Sequence, residues 1–519
     1  MASGILLSRI SGLVRERVFA HYFGSGDAAG AFKAAARIPN FLQNLFGEGV
    51  LSASFIPVYA RLLAEGKTEE AGRVASVVAS LLTLSMALLV GLGTLAALPL
   101  IDVIAPGFEG DVRILTAQLV QIMFPGVGLL VLSAWCLGVL NSHRRFFLSY
   151  VAPVLWNIAV IATLIALGAP RMSARAGQMD LARLCAWATV AGAALQLGMQ
   201  LPQAIRLVGR GHFRPSLALR SEAVQAVLHN FVPVVVSRGV VQLSAYIDQY
   251  LANGLGTQAV AALAYAQTLY LLPISLFGMS VSAAELPEMS REIGVPDEVA
   301  GRLRERLGAA RGRIAFFVVP SLLAFLALGD VVVATLFQSG AFRRSDTVMV
   351  WIILAGSTVG LLAATQGRLL SSACYALRDA RTPLRCALLR VVLTGLGGWA
   401  CVVPLKQHFG WSPMVAAAGL TASAGVAGWI EFLLLGRSLK RRIGHVDNKA
   451  GLILRLWLCA LGAAAVARGL VYVLPPLSPV LVGLLGLGVY GVLYLGATVG
   501  MGLPEARSVL GPILRRLRR

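Results

Sequence analysis

The chain has 519 residues, of which 57% are hydrophobic and 13% charged, and its mean hydropathy is +0.77. A soluble domain carries about 25% charged residues, so a soluble enzyme or binding module is excluded and an all-α polytopic membrane protein is indicated. The net charge of +21 would also suit a nucleic-acid binder, but the positions of the cations exclude that reading.

Hydropathy along the chain predicts about fourteen transmembrane helices, at 3–24, 30–60, 74–104, 114–140, 147–168, 181–204, 224–252, 258–287, 314–337, 347–377, 384–404, 413–436, 451–473 and 479–501. One alternate set of connections, with the tail, holds 29 Lys/Arg and the other holds 7. The positive-inside rule places the richer set in the cytoplasm, with both termini. The basic charge is therefore a topology signal with some affinity for anionic membrane lipid, and no nucleic-acid partner is expected. The first residues lack a basic n-region and an uninterrupted apolar core, so no cleavable leader is expected. The six cysteines lie in apolar segments without a C-x-x-C pair and read as small core residues.

The first two spans are the most heavily charged. Between Ser8 and Pro57 they carry Arg9, Arg15, Arg17, Lys33, Arg37, Glu16 and Glu48. Each such group costs about 2.5–3.5 kcal/mol near the middle of a bilayer, so the set belongs on a bundle interior or a watery cavity. Snorkelling from helix ends accounts for Arg17 or Arg37 singly, but not for all of them.

Landmarks then recur at a nearly constant offset. Ser8-Arg9 returns as Ser237-Arg238, Gly26 as Gly256, Pro57 as Pro287, Gly107-Phe108 as Gly340-Ala341-Phe342, and Leu129-Leu130 as Leu361-Leu362. These offsets predict two six-helix lobes in parallel repeat. The domains are accordingly 1–220 (spans 1–6), 221–445 (spans 7–12) and 446–519 (spans 13–14 and a basic cytoplasmic tail). Segment 297–313 alternates charge at helical spacing and is expected as an amphipathic cytoplasmic helix.

Three motifs carry a family resemblance. They are SR-x₂-G-x₂-R at 8–15, IPN-x₇-EG-x₂-S-x₂-F-x-P at 38–57 and D-x₂-TP at 379–383, accompanied by APGF at 105–108 and LFQSGAF at 336–342. Together they resemble the MurJ (MviN) lipid II flippase family of the multidrug/oligosaccharidyl-lipid/polysaccharide exporter superfamily. The resemblance implies a central cavity lined by spans 1, 2, 7 and 8, and a groove for a polyprenyl tail at spans 13 and 14. It also implies alternating-access transfer of undecaprenyl-diphosphate-linked peptidoglycan precursor from the inner to the outer leaflet, in the bacterial cytoplasmic membrane. The family's first helix is expected to begin upstream of Met1.

By that resemblance Arg9 and Arg15 match cavity arginines, Glu16 an acidic position, Glu48 the second-span glutamate and Arg37 a basic position before Pro39-Asn40. Gly30 stands where the family has aspartate, Gln43 and Asn44 replace an arginine pair, and Thr268 replaces an arginine. A diphosphate needs cationic forks, so Arg9, Arg15, Lys33, Arg37 and Glu48 form the expected headgroup site. Glu16, Asp27, Arg238, Asp248 and Glu285 are expected as supporting ion pairs. Asp27 and Lys33 flank Gly30 at helical spacing, which suggests a site shifted along span 2. Capping by Asp27 and snorkelling by Lys33 are the plainer alternatives.

The competing function is export of another polyprenyl-linked glycan or of a drug-like solute, and the cationic first lobe argues against cationic cargo. A membrane enzyme on polyprenyl phosphates would need clustered carboxylates or histidines. The sequence has no D-x-D, H-E-x-x-H or Walker A motif, so no enzyme and no cofactor or metal are expected. Coupling to membrane potential or a monovalent cation remains open, as does association with other cell-wall synthesis proteins.

Overall fold

The computed structural model describes residues 2–209, 213, 216–290, 296–377, 379, 381–446, 450–475, 477–503 and 505–506. The side chains of Glu48, Arg238 and Asp248 lie outside that description, so three of the expected site residues are placed by their backbone alone. The described residues form helices and connections with no strand.

Two compact units divide the chain: 1–261 with 340–342, and 262–339 with 343–519. The first contains α1 (Ala2–Phe23), α2 (Asp27–Phe46), α3 (Glu48–Ala64), α4 (Thr68–Leu95), α5 (Ala97–Ile104), α6 (Gly110–Ser142), α7 (Phe146–Leu167), α8 (Arg175–Val208) and α9 (Glu222–Asn253). α10 (Thr257–Pro273) begins in this unit. α9 packs on α2 and α3, which is why packing groups span 7 with the N-terminal helices. The sequence landmarks, by contrast, set the expected boundary at 220.

Span 2 is a broken helix. α2 stops at Phe46, Gly47 takes a non-helical backbone, and α3 resumes at Glu48. Non-helical backbone inside a membrane is tolerated where it lines a cavity or is buried in protein. The core of this unit lies lower, where Phe55, Tyr59 and Trp135 are fully buried among α3, α4 and α6. Phe55 and Tyr59 stack with centroids 5.1 Å apart, and the Tyr59 hydroxyl lies 3.1 Å from His143 Nε2.

Two glycines of the sequence landmarks are explained by close approach. A Cβ at Gly107 would stand 2.7 Å from the Asn253 carbonyl oxygen, and one at Gly340 would stand 2.4 Å from that of His21. APGF thus seats on the end of α9. The second landmark seats on the end of α1, where the Ala341 N–H donates to His21 O at 2.7 Å.

In the second unit α10 runs through a π-helical turn, Ile274–Met279, into α11 (Ser280–Ser290). There follow α12 (Pro296–Ala327), α13 (Gly329–Phe337), α14 (Arg344–Thr358), α15 (Leu361–Ala376), α16 (Arg381–Val402), α17 (Pro404–Phe409), α18 (Pro413–Ile443), α19 (Ala450–Val473) and α20 (Pro479–Gly500). The amphipathic segment expected at 297–313 is not separate: it continues without a break into the span, as the first half of α12. α19 packs on α12, and α20 on α13. Pro320 inside α12 lacks the N–H that would bond the carbonyl four residues back. The Tyr494 hydroxyl takes its place, donating to Phe316 O at 2.6 Å, and Tyr490 donates to Pro320 O at 2.8 Å. Asp330, at the start of α13, accepts from Arg468 of α19 at 2.7 Å and from Arg344 at 3.2 Å.

Among the described residues ten helices are long and apolar enough to cross a membrane, or eleven when the bent pair α14 and α15 counts as one span. The three remaining expected spans correspond to α1, to α2 with α3, and to α9.

Candidate functional site

A cavity of about 720 Å³ opens within the first unit. α1 presents Ser8, Gly12 and Arg15 to it, at the spacing of one helix face. α2 presents Asn40, Gln43 and Asn44, and α3 adds Gly49 and Ser52 beyond the break at Gly47. α6 contributes Ser133, α7 contributes Trp156 and Asn157, and α8 contributes Gln196. Among the described residues Arg15 is the charged one of this lining.

Arg15 is held from three sides. Its Nη2 donates to Glu16 Oε1 at 2.7 Å, its Nη1 donates to Asn157 Oδ1 at 3.1 Å, and its guanidinium lies 4.4 Å from the Trp156 ring centre. Asn157 is itself oriented, since its Nδ2 donates to Ser11 Oγ at 2.8 Å and Ser11 donates to Ser8 O at 3.0 Å. A second cation shares Glu16: Lys33 Nζ donates to Oε2 at 2.5 Å, and its ammonium lies 4.5 Å from the Phe19 ring centre. Glu16 is buried, so this is a nearly dry triad of two cations and one carboxylate. Its residual positive charge is strengthened by low dielectric and reaches the cavity through Arg15. An arginine fork of this kind suits planar, bidentate binding of phosphate oxygens.

The other expected residues are distributed differently. Arg9 is exposed, one residue off the lining face of α1. Arg37 is half-buried on α2, one turn beyond Lys33. Asp27 is the first residue of α2, after the cap residue Gly26. It accepts from Thr257 Oγ1 at 2.7 Å and pairs with Arg175 at 3.0 Å, one end of α2 away from the cavity. Glu285, in the second unit, accepts from Arg313 at 2.5 Å and pairs with Arg306 at 3.7 Å. Arg390 donates to Glu431 at 3.0 Å. The structure therefore brings Arg15, Glu16 and Lys33 together, and ties Asp27 and Glu285 into separate pairs.

Gly30 has a packing role. A Cβ there would stand 2.4 Å from the Thr257 carbonyl oxygen. Backbone cannot yield as a flexible side chain can, so an aspartate has no room at this position. Gly30→Asp is expected to lower both the thermal midpoint and the membrane level of the protein relative to Gly30→Ala. Overpacking costs about 1–3 kcal/mol, growing with the size of the insert. Equal midpoints for wild type and Gly30→Asp in a detergent melting series would contradict this.

Sequence reasoning missed Asn157, Trp156, Ser133 and Gln196, and treated Gln43 and Asn44 as losses. The available signal was a neutral amide inside an apolar run, which is weaker than a charge because its insertion cost is smaller.

The family model for "Lipid II flippase MurJ" matches residues 19–489. The lipid II flippase MurJ of Burkholderia cenocepacia is 31% identical over 474 residues, covering 90% of this chain and 87% of the relative. A probable lipid II flippase MurJ of Rhizobium tropici is also 31% identical, with 91% and 86% covered. Among solved structures, a lipid II flippase MurJ in an inward closed conformation superposes with a TM-score of 0.77 at 23% identity, covering 96% of this chain and 99% of that one. An inward-facing MATE family transporter of the MOP superfamily reaches 0.63 at 20% identity, covering 84% and 95%. The two structures share the fold, and the family model and the sequence relatives decide the family. The chain belongs to the lipid II flippase MurJ family.

Proposed function

We propose that this multi-pass membrane protein carries lipid II from the inner to the outer leaflet of the bacterial cytoplasmic membrane by alternating access, supplying peptidoglycan synthesis. The observation that carries the reading is the membrane-embedded polar cavity whose lining charge is Arg15, stacked on Trp156 and backed by Glu16 and Lys33. A diphosphate cannot cross hydrocarbon bare, and a cationic, hydrated slot offsets its desolvation. The chemistry is binding and release, with no covalent step and no cofactor. Coupling to membrane potential or a monovalent cation, and contact with other cell-wall synthesis proteins, belong to the same proposal.

Complementation of a flippase-depleted bacterium, read together with a leaflet assay for lipid II, tests it. Growth with restored outward exposure of lipid II is expected. Restored growth without lipid II exposure would instead assign the cavity to another polyprenyl-linked glycan.

The orientation, with both termini cytoplasmic, rests on the 29-to-7 asymmetry of Lys/Arg. In a background lacking the native cysteines, cysteine at Ser339 or Gln407 is expected to react with an impermeant thiol reagent from outside. Cysteine at Ser142 or Ser438 is expected to react only after permeabilisation. Reversal at either pair would invert the topology. The division into 1–220, 221–445 and 446–519 is likewise proposed as the boundary of the two repeats and the added pair of spans.

A further inference from the structure

The cavity is larger and more neutral than a phosphate slot requires. Arg15 supplies its lining charge, while Asn40, Gln43 and Asn44 cover one wall from α2. Their spacing of three and four residues stacks the amides on a single helix face, and among the described residues none of the three side-chain amides has a hydrogen-bond partner. α6 and α8 add an oriented amide relay to the lining. Gln196 Nε2 donates to Ser133 Oγ at 2.9 Å, and Ser133 donates to Gln200 Oε1 at 2.6 Å. Gln196 and Gln200 are buried. With its Nε2 engaged in the relay, Gln196 offers its carbonyl oxygen to the cavity as an acceptor.

Asn40 and Asn44 are exposed and Gln43 is half-buried, so these three amides face the open cavity and are accessible to a ligand. Carboxamides both donate and accept, so they match groups that do the same, namely hydroxyls and acetamido groups. They match phosphate poorly, since it is an acceptor alone and is bound best by cations. The volume of about 720 Å³ lies within the range of roughly 300–1,000 Å³ that encloses small-molecule ligands. Resting on the reading above, we infer that the cavity-lining amides of Asn40, Gln43, Asn44 and Gln196 form a subsite for the uncharged, acetylated sugar part of the headgroup, while Arg15 takes the diphosphate.

The test compares two lipids on the full-length protein in nanodiscs: lipid II, and undecaprenyl diphosphate without sugar. Gln43→Leu, Asn44→Leu and Gln196→Leu are each expected to weaken lipid II binding about tenfold, as for a polar contact replaced by an unbonded group. The same variants are expected to bind bare undecaprenyl diphosphate within about twofold of wild type, an allowance for changes near RT. Binding of that lipid also reports that each variant is folded. Arg15→Ala should weaken both lipids. Gln43→Arg with Asn44→Arg should shift preference toward the bare diphosphate. Equal loss of both lipids in the leucine variants, or loss of neither, would overturn the subsite. Wild-type protein that binds undecaprenyl diphosphate but not lipid II would do so as well. Failure of wild type to bind either lipid would instead remove the flippase reading on which the inference rests.

Discussion

Arg15→Ala is expected to abolish complementation of a flippase-depleted strain while the protein stays in the membrane at a normal level. Truncating one partner of a desolvated charge-assisted contact costs about 2–5 kcal/mol, which is roughly thirtyfold or more in affinity at 1.4 kcal/mol per factor of ten. The level is expected to hold because Glu16 keeps Lys33 as a partner at 2.5 Å after Arg15 is gone. Arg15→Lys should recover part of the activity, since an ammonium restores the charge but not the planar fork that spans Glu16 and Asn157. Lipid II exposure and immunoblotting of membranes are the measurements. Wild-type exposure in Arg15→Ala would leave the diphosphate assignment without support.

Glu16→Ala is expected to act through the fold. It leaves Arg15 and Lys33 with no shared carboxylate, although their side chains are only 21% and 15% exposed. Breaking a buried ion pair by removing one partner costs about 3–5 kcal/mol, whereas replacing both partners with apolar groups is often neutral. The double variant Glu16→Ala with Lys33→Leu should therefore melt well above Glu16→Ala alone in detergent, and should return to the membrane in quantity. Lys33→Leu alone should be milder than Glu16→Ala, because Arg15 still neutralises the carboxylate. Equal midpoints for the single Glu16 variant and the double variant would show that the triad is not coupled. Complementation by Lys33→Leu separates the two views of that residue: a lysine needed only to balance Glu16 can be lost with little effect on flipping, and one that contacts the headgroup cannot.

The helices that position the cavity were legible in the sequence for two opposite reasons. The ten apolar spans announced themselves by hydropathy, whereas α1 and the broken pair α2 and α3 announced themselves by charges too costly to face lipid. Asp27 and Lys33 show where such reading reaches its limit. Helical spacing placed both on the Gly30 face. Spacing does not say what packs there, and the neighbour is the backbone of Thr257, with Arg175 nearby. One of the two residues consequently pairs at the end of α2, and the other pairs with Glu16.

Membrane class and the cationic first spans were determined by the sequence alone, because hydropathy and charge are properties of residues in chain order. Tertiary structure decided which of those charges meet, and which neutral amides face the cavity beside apolar side chains such as Leu130, Leu137 and Trp156. Asn157 lies 142 residues from the Arg15 it holds, and Gln200 lies 67 residues from Ser133. A neutral amide in an apolar run costs too little to stand out until the helices pack and leave it facing a cavity that nothing else in the protein fills.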